Sequence, residues 1–261
     1  MTIKEITYLN YGKCLELSNG IVEVYVTIDV GPRIIRYALC GRDNIMFEDI
    51  DRELTQSGSE FDEYYSKGDT WYIYGGHRLW TSPEALPRSY YPDNTPVKYE
   101  RIDGGVRFIA EEQKHNCIEM IMEVCLLENS SKVEVNHIIK NTGAWDATYA
   151  IWALTVMGKN GKEVVPVPQK NTGLLSNRSI ALWPYSKMND ARVNWGDKYI
   201  TLRQDPNATC PFKFGINNDE GYAMYFINGD LFIKKFSPIS GQPYPDGGMS
   251  FETFTNPKML E

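Results

Sequence analysis

Short strand-like runs separated by turn residues constrain the fold of this chain more than any other feature. The runs are rich in β-branched and aromatic residues, which is typical of strands. They cover residues 21–28, 33–39, 97–102, 106–112, 118–127, 132–140, 147–157, 199–204, 222–227, 231–237 and 249–255. Asn, Asp and Gly sit between many neighbouring runs, as at Asn19-Gly20, Asp103-Gly104 and Asn228-Gly229. These residues tolerate the positive φ of tight hairpins, so the pattern predicts an all-β fold of antiparallel strands.

The number of runs indicates a sandwich larger than the seven-strand immunoglobulin type. The chain has 261 residues, of which 42% are hydrophobic, with 17 Tyr, 10 Phe and 6 Trp, so it can bury a large core without staples. Val22, Val24, Val26 and Ile28 fall on one face of their run, as in a sheet with one side in the core. No repeat or composition shift marks a boundary, and we therefore predict a single domain over residues 1–261.

The charge balance indicates a small uncharged or weakly polar ligand. The net charge is −7, the pI is near 5.2, and the basic residues are scattered, which argues against nucleic acid and membrane as partners. The first residues show no cationic and apolar leader, so we expect a cytoplasmic protein. The five cysteines form no Cys-x-x-Cys pair, and neither a disulfide framework nor a zinc site is expected. We expect no metal and no cofactor.

The segment Tyr74–Trp80, YGGHRLW, combines two glycines with an imidazole, a guanidinium and an indole. Sugars stack their C–H face on aromatic rings and need fixed donors and acceptors for their hydroxyls, so this mixture suits a sugar-binding cleft. On extended backbone, however, His77 and Leu79 face away from Arg78 and Trp80, and the set converges only if the chain bends. The competing interpretation is that Gly75-Gly76 is only a turn, Trp80 is a core residue and His77 is a surface histidine with satisfied hydrogen bonds, and the residues alone weigh the two equally.

Two long irregular stretches, residues 49–72 and 81–96, flank this segment, and such stretches are often functional. The other two histidines carry weaker signals. His137 shares a strand face with Val133, Val135 and Ile139, which favours a packed core residue. His115 precedes a strand and carries no assignment.

The last strand-like run places Glu252 on one face with Ser250 and Phe254. A carboxylate in an aromatic strand is costly to bury unless it is paired or used, and burial raises its pKa toward that of a working base. A solvated edge residue is the equal alternative. Lys234 shares a face with Phe232 and Phe236, where it could contact a ligand or cap a sheet.

Several motifs together resemble a bacterial, poorly characterised branch of the galactose mutarotase-like superfamily, which is related to the aldose 1-epimerases. They are DVGPRI (29–34), GGHRLW (75–80), YPDN (91–94), IWALTVM (151–157), FIKKF (232–236) and YPDGGMSFETFTN (244–256). The resemblance spans nearly the whole chain and is specific for GGHRLW and the last motif. It implies a large antiparallel β-supersandwich with a hexose cleft on one sheet, and a further strand beyond Glu261.

The resemblance also implies a cofactor-independent exchange of sugar anomers. In that chemistry a glutamate takes the proton of the anomeric hydroxyl and a histidine protonates the ring oxygen, which gives Glu252 as base and His77 as acid. We expect substrate contacts from polar and aromatic residues of the motifs: Arg33, Arg78, Trp80, Asp93 and Lys234.

The histidine motifs of well-studied mutarotases are not present in recognisable form, so a purely sugar-binding protein is the first alternative. A glycoside-processing enzyme is the second, and it requires a carboxylate such as Glu84 or Asp93 about 5–10 Å from Glu252.

Overall fold

The computed structural model describes residues 1–261 and divides them into two compact units, Met1–Thr155 and Val156–Glu261. The strands of the first unit are β1 (Thr2–Thr7), β2 (Lys13–Ser18), β3 (Val22–Thr27), β4 (Ile34–Leu39), β5 (Thr55–Gln56), β6 (Trp71–Tyr72), β7 (Gly76–Ser82), β8 (Lys98–Ile102), β9 (Gly105–Ile109), β10 (Ile118–Leu126), β11 (Val133–Asn141) and β12 (Ala150–Val156), which crosses the boundary by one residue. The strands of the second unit are β13 (Lys162–Pro166), β14 (Ile180–Leu182), β15 (Val193–Trp195), β16 (Tyr199–Arg203), β17 (Phe212–Ile216), β18 (Tyr222–Ile227), β19 (Asp230–Lys235) and β20 (Phe251–Thr255).

The all-β prediction is confirmed. Helical structure is limited to α1 (Ser59–Tyr64), a 3-10 turn (Arg88–Tyr90) and the four-residue α2 (Pro245–Gly248). The strand pairs are antiparallel, and consecutive strands such as β1–β2, β10–β11 and β18–β19 are joined by short hairpins. None of the helices has the length and apolar character needed to cross a bilayer. The extent of the domain, residues 1–261, stays a prediction.

In the first unit a six-stranded sheet packs on a four-stranded sheet. The strand orders are β1-β2-β3-β4-β7-β12 and β11-β10-β9-β8. Val22, Val24 and Val26 of β3 share one buried cluster with Phe108 of β9 and Met122 of β10. The alternation of β3 therefore fills the space between the sheets, as in a sandwich with interdigitating inner faces.

The glycines before β7 let its backbone pass close to neighbouring chain. Gly75 and Gly76 have φ values of 109° and 63°. A Cβ at Gly76 would lie 2.1 Å from the carbonyl oxygen of Ile34, and one at Gly75 would lie 2.1 Å from that of Phe47. Only glycine fits here, and every residue of β7 is consequently buried.

In the second unit a five-stranded sheet faces a three-stranded sheet. The strand orders are β15-β16-β13-β18-β19 and β14-β17-β20. Trp195 of β15 contacts Phe214 of β17 with ring centroids 5.5 Å apart, which ties the two sheets together. Phe212, Phe214 and Ile216 of β17 are fully buried, while Lys213 and Gly215 point to the other side of the three-stranded sheet.

Candidate functional site

His77 lies in the core of the first unit and is occupied on both ring nitrogens. Its Nδ1 is 2.8 Å from the hydroxyl of Thr155, and its Nε2 is 2.7 Å from Nε2 of His137. His77 is 7% exposed, and His137 is half-buried. Since two nitrogens that both carry protons cannot share one hydrogen bond, the pair in this contact holds at most one positive charge. His137 thus faces inward, as its strand pattern predicts, and its partner is a second histidine.

Arg78 and Trp80 lie on the opposite face of β7 from His77 and Leu79, because the backbone there is extended and not bent. The guanidinium carbon of Arg78 lies 4.3 Å from the ring centroid of Trp80 and 5.6 Å from that of Trp71. Arg78 is 1% exposed. The segment YGGHRLW therefore does not present its polar groups to one point.

Arg33 and Asp93 form a bidentate ion pair at the wall of a cleft in the first unit. The two hydrogen bonds measure 2.6 and 3.0 Å, and the Arg33 side chain is 3% exposed. The cleft is small, with a cavity volume of about 20 Å³, and Trp80, Tyr91 and Gln113 line it as well. Three predicted contacts, Arg33, Trp80 and Asp93, thus lie at one cleft of the first unit.

Glu252 lies on the outward face of β20 in the second unit. Its carboxylate forms an ion pair of 2.8 Å with the ammonium of Lys213, and the two side chains are only 11% and 9% exposed. Burial raises the pKa of Glu252 to about 7, although Lys213 acts to lower it. A carboxyl group that titrates near neutral pH can accept and return a proton under physiological conditions.

Aromatic side chains surround this ion pair. Lys213 is opposite Phe254 in the register of β17 and β20, and Gly215 is opposite Glu252. The Lys213 ammonium lies 3.9 Å from the ring centroid of Trp183, which follows β14 directly. Tyr185 contacts Phe254 edge-on with centroids 6.4 Å apart and is 42% exposed. One sheet face therefore combines a carboxylate, a cation and three aromatic rings.

The turn before β20 adds a second carboxyl group. Asp246 is exposed, has a φ of 53°, and hydrogen-bonds to Glu252, which raises the pKa of Glu252 further. Carboxyl groups in hydrogen-bond contact lie closer than the roughly 5–10 Å separation that glycoside hydrolysis uses. Asp246 therefore does not supply the second carboxylate of a hydrolase in this arrangement.

Lys234 belongs to a different cluster of the second unit, on the inward face of β19. Burial lowers the pKa of Lys234 to about 8, against the effects of Glu261 and Glu163. Glu163 of β13 is 5% exposed, and burial raises its pKa to about 8. Thr253 of β20 opposes that rise. The core-facing side of β20 thus meets one buried carboxyl group, and its outward side carries another.

Sequence reasoning missed Lys213, Trp183 and Glu163. The signal for Lys213 was the alternation in FKFGI (212–216), which places one lysine among apolar residues in the same way as Glu252 in FETFT. A lone cation and a lone carboxylate in two such strands are natural partners. No cluster of three or more His, Cys, Asp or Glu side chains could hold a metal ion, and all five cysteines are free.

Fold and site together define an all-β protein with a largely buried, lysine-paired glutamate on an aromatic sheet face. No family model matches the chain, and no curated protein does. Among solved structures the chain is similar to a 4-alpha-glucanotransferase from Thermococcus litoralis, with 13% identity and a TM-score of 0.29. The match covers 90% of this chain and 36% of that one, so this chain spans about a third of its length. That similarity assigns no family.

Proposed function

We propose that this protein binds a sugar and interconverts its anomers, as a cofactor-independent mutarotase related to the aldose 1-epimerases of the galactose mutarotase-like superfamily. The observation that carries the proposal is the setting of Glu252, whose largely buried carboxylate is 2.8 Å from the Lys213 ammonium. Its pKa of about 7 suits a group that takes up and returns a proton at neutral pH.

Glu252 acts as the general base. It takes the proton from the anomeric hydroxyl, the bond between C1 and the ring oxygen breaks, and an acid protonates the ring oxygen. The open aldehyde rotates about its C1–C2 bond, and the same steps in reverse close the ring on the other face. Protons and electrons balance within the sugar, the base and the acid.

The aromatic residues beside Glu252 suit a pyranose. Trp183, Tyr185 and Phe254 offer apolar ring surface for the C–H face of a sugar, and Asp246 offers a polar group for its hydroxyls. We propose Arg33, Arg78, Trp80, Asp93 and Lys234 as further sugar contacts. Three of them, Arg33, Trp80 and Asp93, lie together at the small cleft of the first unit.

His77 enters the proposal as general acid in combination with His137. Because both ring nitrogens of His77 are occupied, a proton that leaves His77 must be exchanged through Thr155 or His137. We therefore propose that the two histidines hold and release the acid proton as a unit.

Two-dimensional NMR exchange spectroscopy of anomeric protons tests the function directly. A panel of hexoses and uronic acids is measured with the wild type, Glu252→Gln and the exposed control Glu220→Gln. Loss of a general base typically costs about 10²–10⁴ in rate, so Glu252→Gln should fall to near the spontaneous rate while the control keeps wild-type exchange. The rate should also rise with pH through about pH 7, since the base must be ionised.

A wild type that accelerates no sugar of the panel contradicts the mutarotase proposal. The remaining sugar-binding function is then measured by tryptophan fluorescence with the same panel, and by the loss of that response in Trp183→Leu. No response to any sugar contradicts binding as well.

A further inference from the structure

Lys213 is held in place on every side. Its backbone N–H donates to the Ser186 hydroxyl at 2.8 Å, and the same hydroxyl donates to the Lys213 carbonyl at 2.7 Å. Its ammonium lies between the Trp183 ring, at 3.9 Å, and the Glu252 carboxylate, at 2.8 Å. Most lysines keep the ammonium in water at the end of a flexible stem, whereas the Lys213 side chain is only 9% exposed.

The burial of the pair also demands a reason. A buried ion pair is weak evidence for stability, because removing two charges from water costs as much as the pair returns. Lys213 and Glu252 are 9% and 11% exposed, and they lie on the outward side of a sheet whose inward side already holds a core of Phe212, Phe214 and Ile216. An apolar pair would pack there at lower cost, so the charges point to a use.

We propose that Lys213 is the positioning residue of Glu252: its buried ammonium orients the carboxylate and keeps it ionised, so that it is ready to accept a proton. The inference rests on the proposed function for its catalytic meaning. The contact itself is independent of that function.

Two charged groups act on Glu252 from the elements packed against it. Lys213 of β17 favours the ionised carboxylate, and Asp246 of the preceding turn favours the protonated form. Burial raises the pKa of Glu252 more than Lys213 lowers it. Without the ammonium, burial and Asp246 would act unopposed, and at neutral pH the carboxyl group would hold its proton.

The test follows the titration of Glu252 in the full chain. Protein labelled with ¹³C at the glutamate side-chain carboxyl is titrated by NMR, and the Glu252 signal is identified by its absence in Glu252→Gln. The variants are Lys213→Met, Lys213→Gln and Lys213→Arg. The matched control is Lys235→Met, which changes an exposed lysine of strand β19. Amide spectra verify that each variant keeps the fold.

Removal of an opposite charge at contact distance raises a carboxyl pKa by about 1–3 units. We therefore expect the Glu252 midpoint to rise by about 1 pH unit or more in Lys213→Met and Lys213→Gln. Lys213→Arg should restore it to within about half a unit, and Lys235→Met should leave it unchanged. A midpoint in Lys213→Met or Lys213→Gln that stays within about 0.3 of the wild type overturns the inference. Should the Met variant not fold, the Gln and Arg variants decide alone.

The anomer-exchange assay adds the functional readout. The ascending limb of the pH–rate profile should move to higher pH in Lys213→Gln by the same interval as the titration and return in Lys213→Arg. Absence of exchange in the wild type contradicts the proposed function but leaves the titration result standing. A moved titration with an unmoved rate profile contradicts the positioning role.

Discussion

Strands β7 and β20 both carry motifs with several functional residue types, and they differ in how far the polar side chains are buried. Every residue of β7 is buried, and its polar side chains are held by neighbours, His77 by Thr155 and His137 and Arg78 by two tryptophan rings. In β20 only Thr253 and Thr255 are buried, and Glu252 stays partly accessible on the outward face.

The difference follows from what covers the two strands. Every residue of β7, which lies between β4 and β12, is buried, so its polar groups must be satisfied internally. The face of β20 that carries Glu252 is less covered, and Tyr185 beside it is 42% exposed. A motif with many functional residue types therefore identifies a working site only when its sheet leaves one face open.

The largest expected effect tests the packing role of β7. In Gly76→Ala the new Cβ would lie 2.1 Å from a backbone oxygen of Ile34, at a φ of 63°. We expect a loss of about 5 kcal/mol or more in the free energy of unfolding, measured with urea, because backbone cannot move aside as a side chain can.

Gly20→Ala is the matched control for this substitution. Gly20 has a φ of 84° with open space around it, so only the cost of the left-handed backbone, about 1–2 kcal/mol, should appear. Equal losses of unfolding free energy in the two variants would show that the close backbone contact at Gly76 does not determine the effect of its substitution.

The second effect concerns the Arg33–Asp93 pair at the cleft of the first unit. Asp93→Ala leaves the Arg33 guanidinium, which is 3% exposed, without its bidentate partner. Breaking a buried pair in this way should cost about 3 kcal/mol of unfolding free energy. Glu100→Gln, which removes a carboxylate that is 53% exposed beside Arg107, should cost less than about 1 kcal/mol. A loss below about 1 kcal/mol for Asp93→Ala would show that the pair does not stabilise the fold.

Much of the fold was predictable from the sequence. Each strand-like run overlaps an observed strand, and Asn19-Gly20, Asp103-Gly104 and Asn228-Gly229 lie at hairpins, as their tolerance of positive φ predicts. Nine strands lie outside these runs: β1, β2, β5, β6, β7, β13, β14, β15 and β17. Three of the nine are β2, β13 and β17. Their sequences KCLELS, KEVVP and FKFGI mix charges or glycine into short runs, and their strand character comes from pairing with neighbours.

The candidate site was less predictable. The alternation in the sequence predicted that His77 and Arg78 point to opposite faces of a strand. For Glu252 the sequence left a paired or functional carboxylate and a solvated edge residue equally open, and in the structure its partner is Lys213. The partners of these residues could not be predicted. Lys213 lies 39 residues from Glu252 in sequence, and His137 lies 60 residues from His77. Pairing at that separation depends on strand register, which a single sequence does not fix.

The third prediction concerns Glu163, the buried carboxyl group on the core-facing side of β20, as distinct from Glu252 on its outward side. Burial raises the pKa of Glu163 to about 8, above the value of about 4.5 that it takes when exposed. Between these two values the folded state binds more protons than the unfolded state, so Glu163 lowers stability as pH rises. The slope is at most about 1.4 kcal/mol for each pH unit.

Glu163→Gln should remove this slope. We expect the unfolding free energy of the variant, relative to the wild type, to increase by about 2 kcal/mol between pH 5 and pH 7 in urea titrations. Glu220→Gln, at an exposed position, should run parallel to the wild type. A difference that is constant with pH would mean that Glu163 is ionised in the fold.

The smallest effect measures what the fold gains from His77. Thr155→Val keeps the shape of the side chain and removes the hydroxyl that lies 2.8 Å from Nδ1 of His77, whereas Thr155→Ser keeps the hydroxyl and loses a methyl group. If the contact serves packing, the Val variant should lose about 1 kcal/mol of unfolding free energy, and the anomer-exchange rate should not change. If it instead holds the acid proton of the histidine pair, exchange should fall in Thr155→Val and persist in Thr155→Ser. The second outcome would show that β7 contributes to catalysis although it is buried. The two strands would then differ only in how accessible their side chains are to solvent.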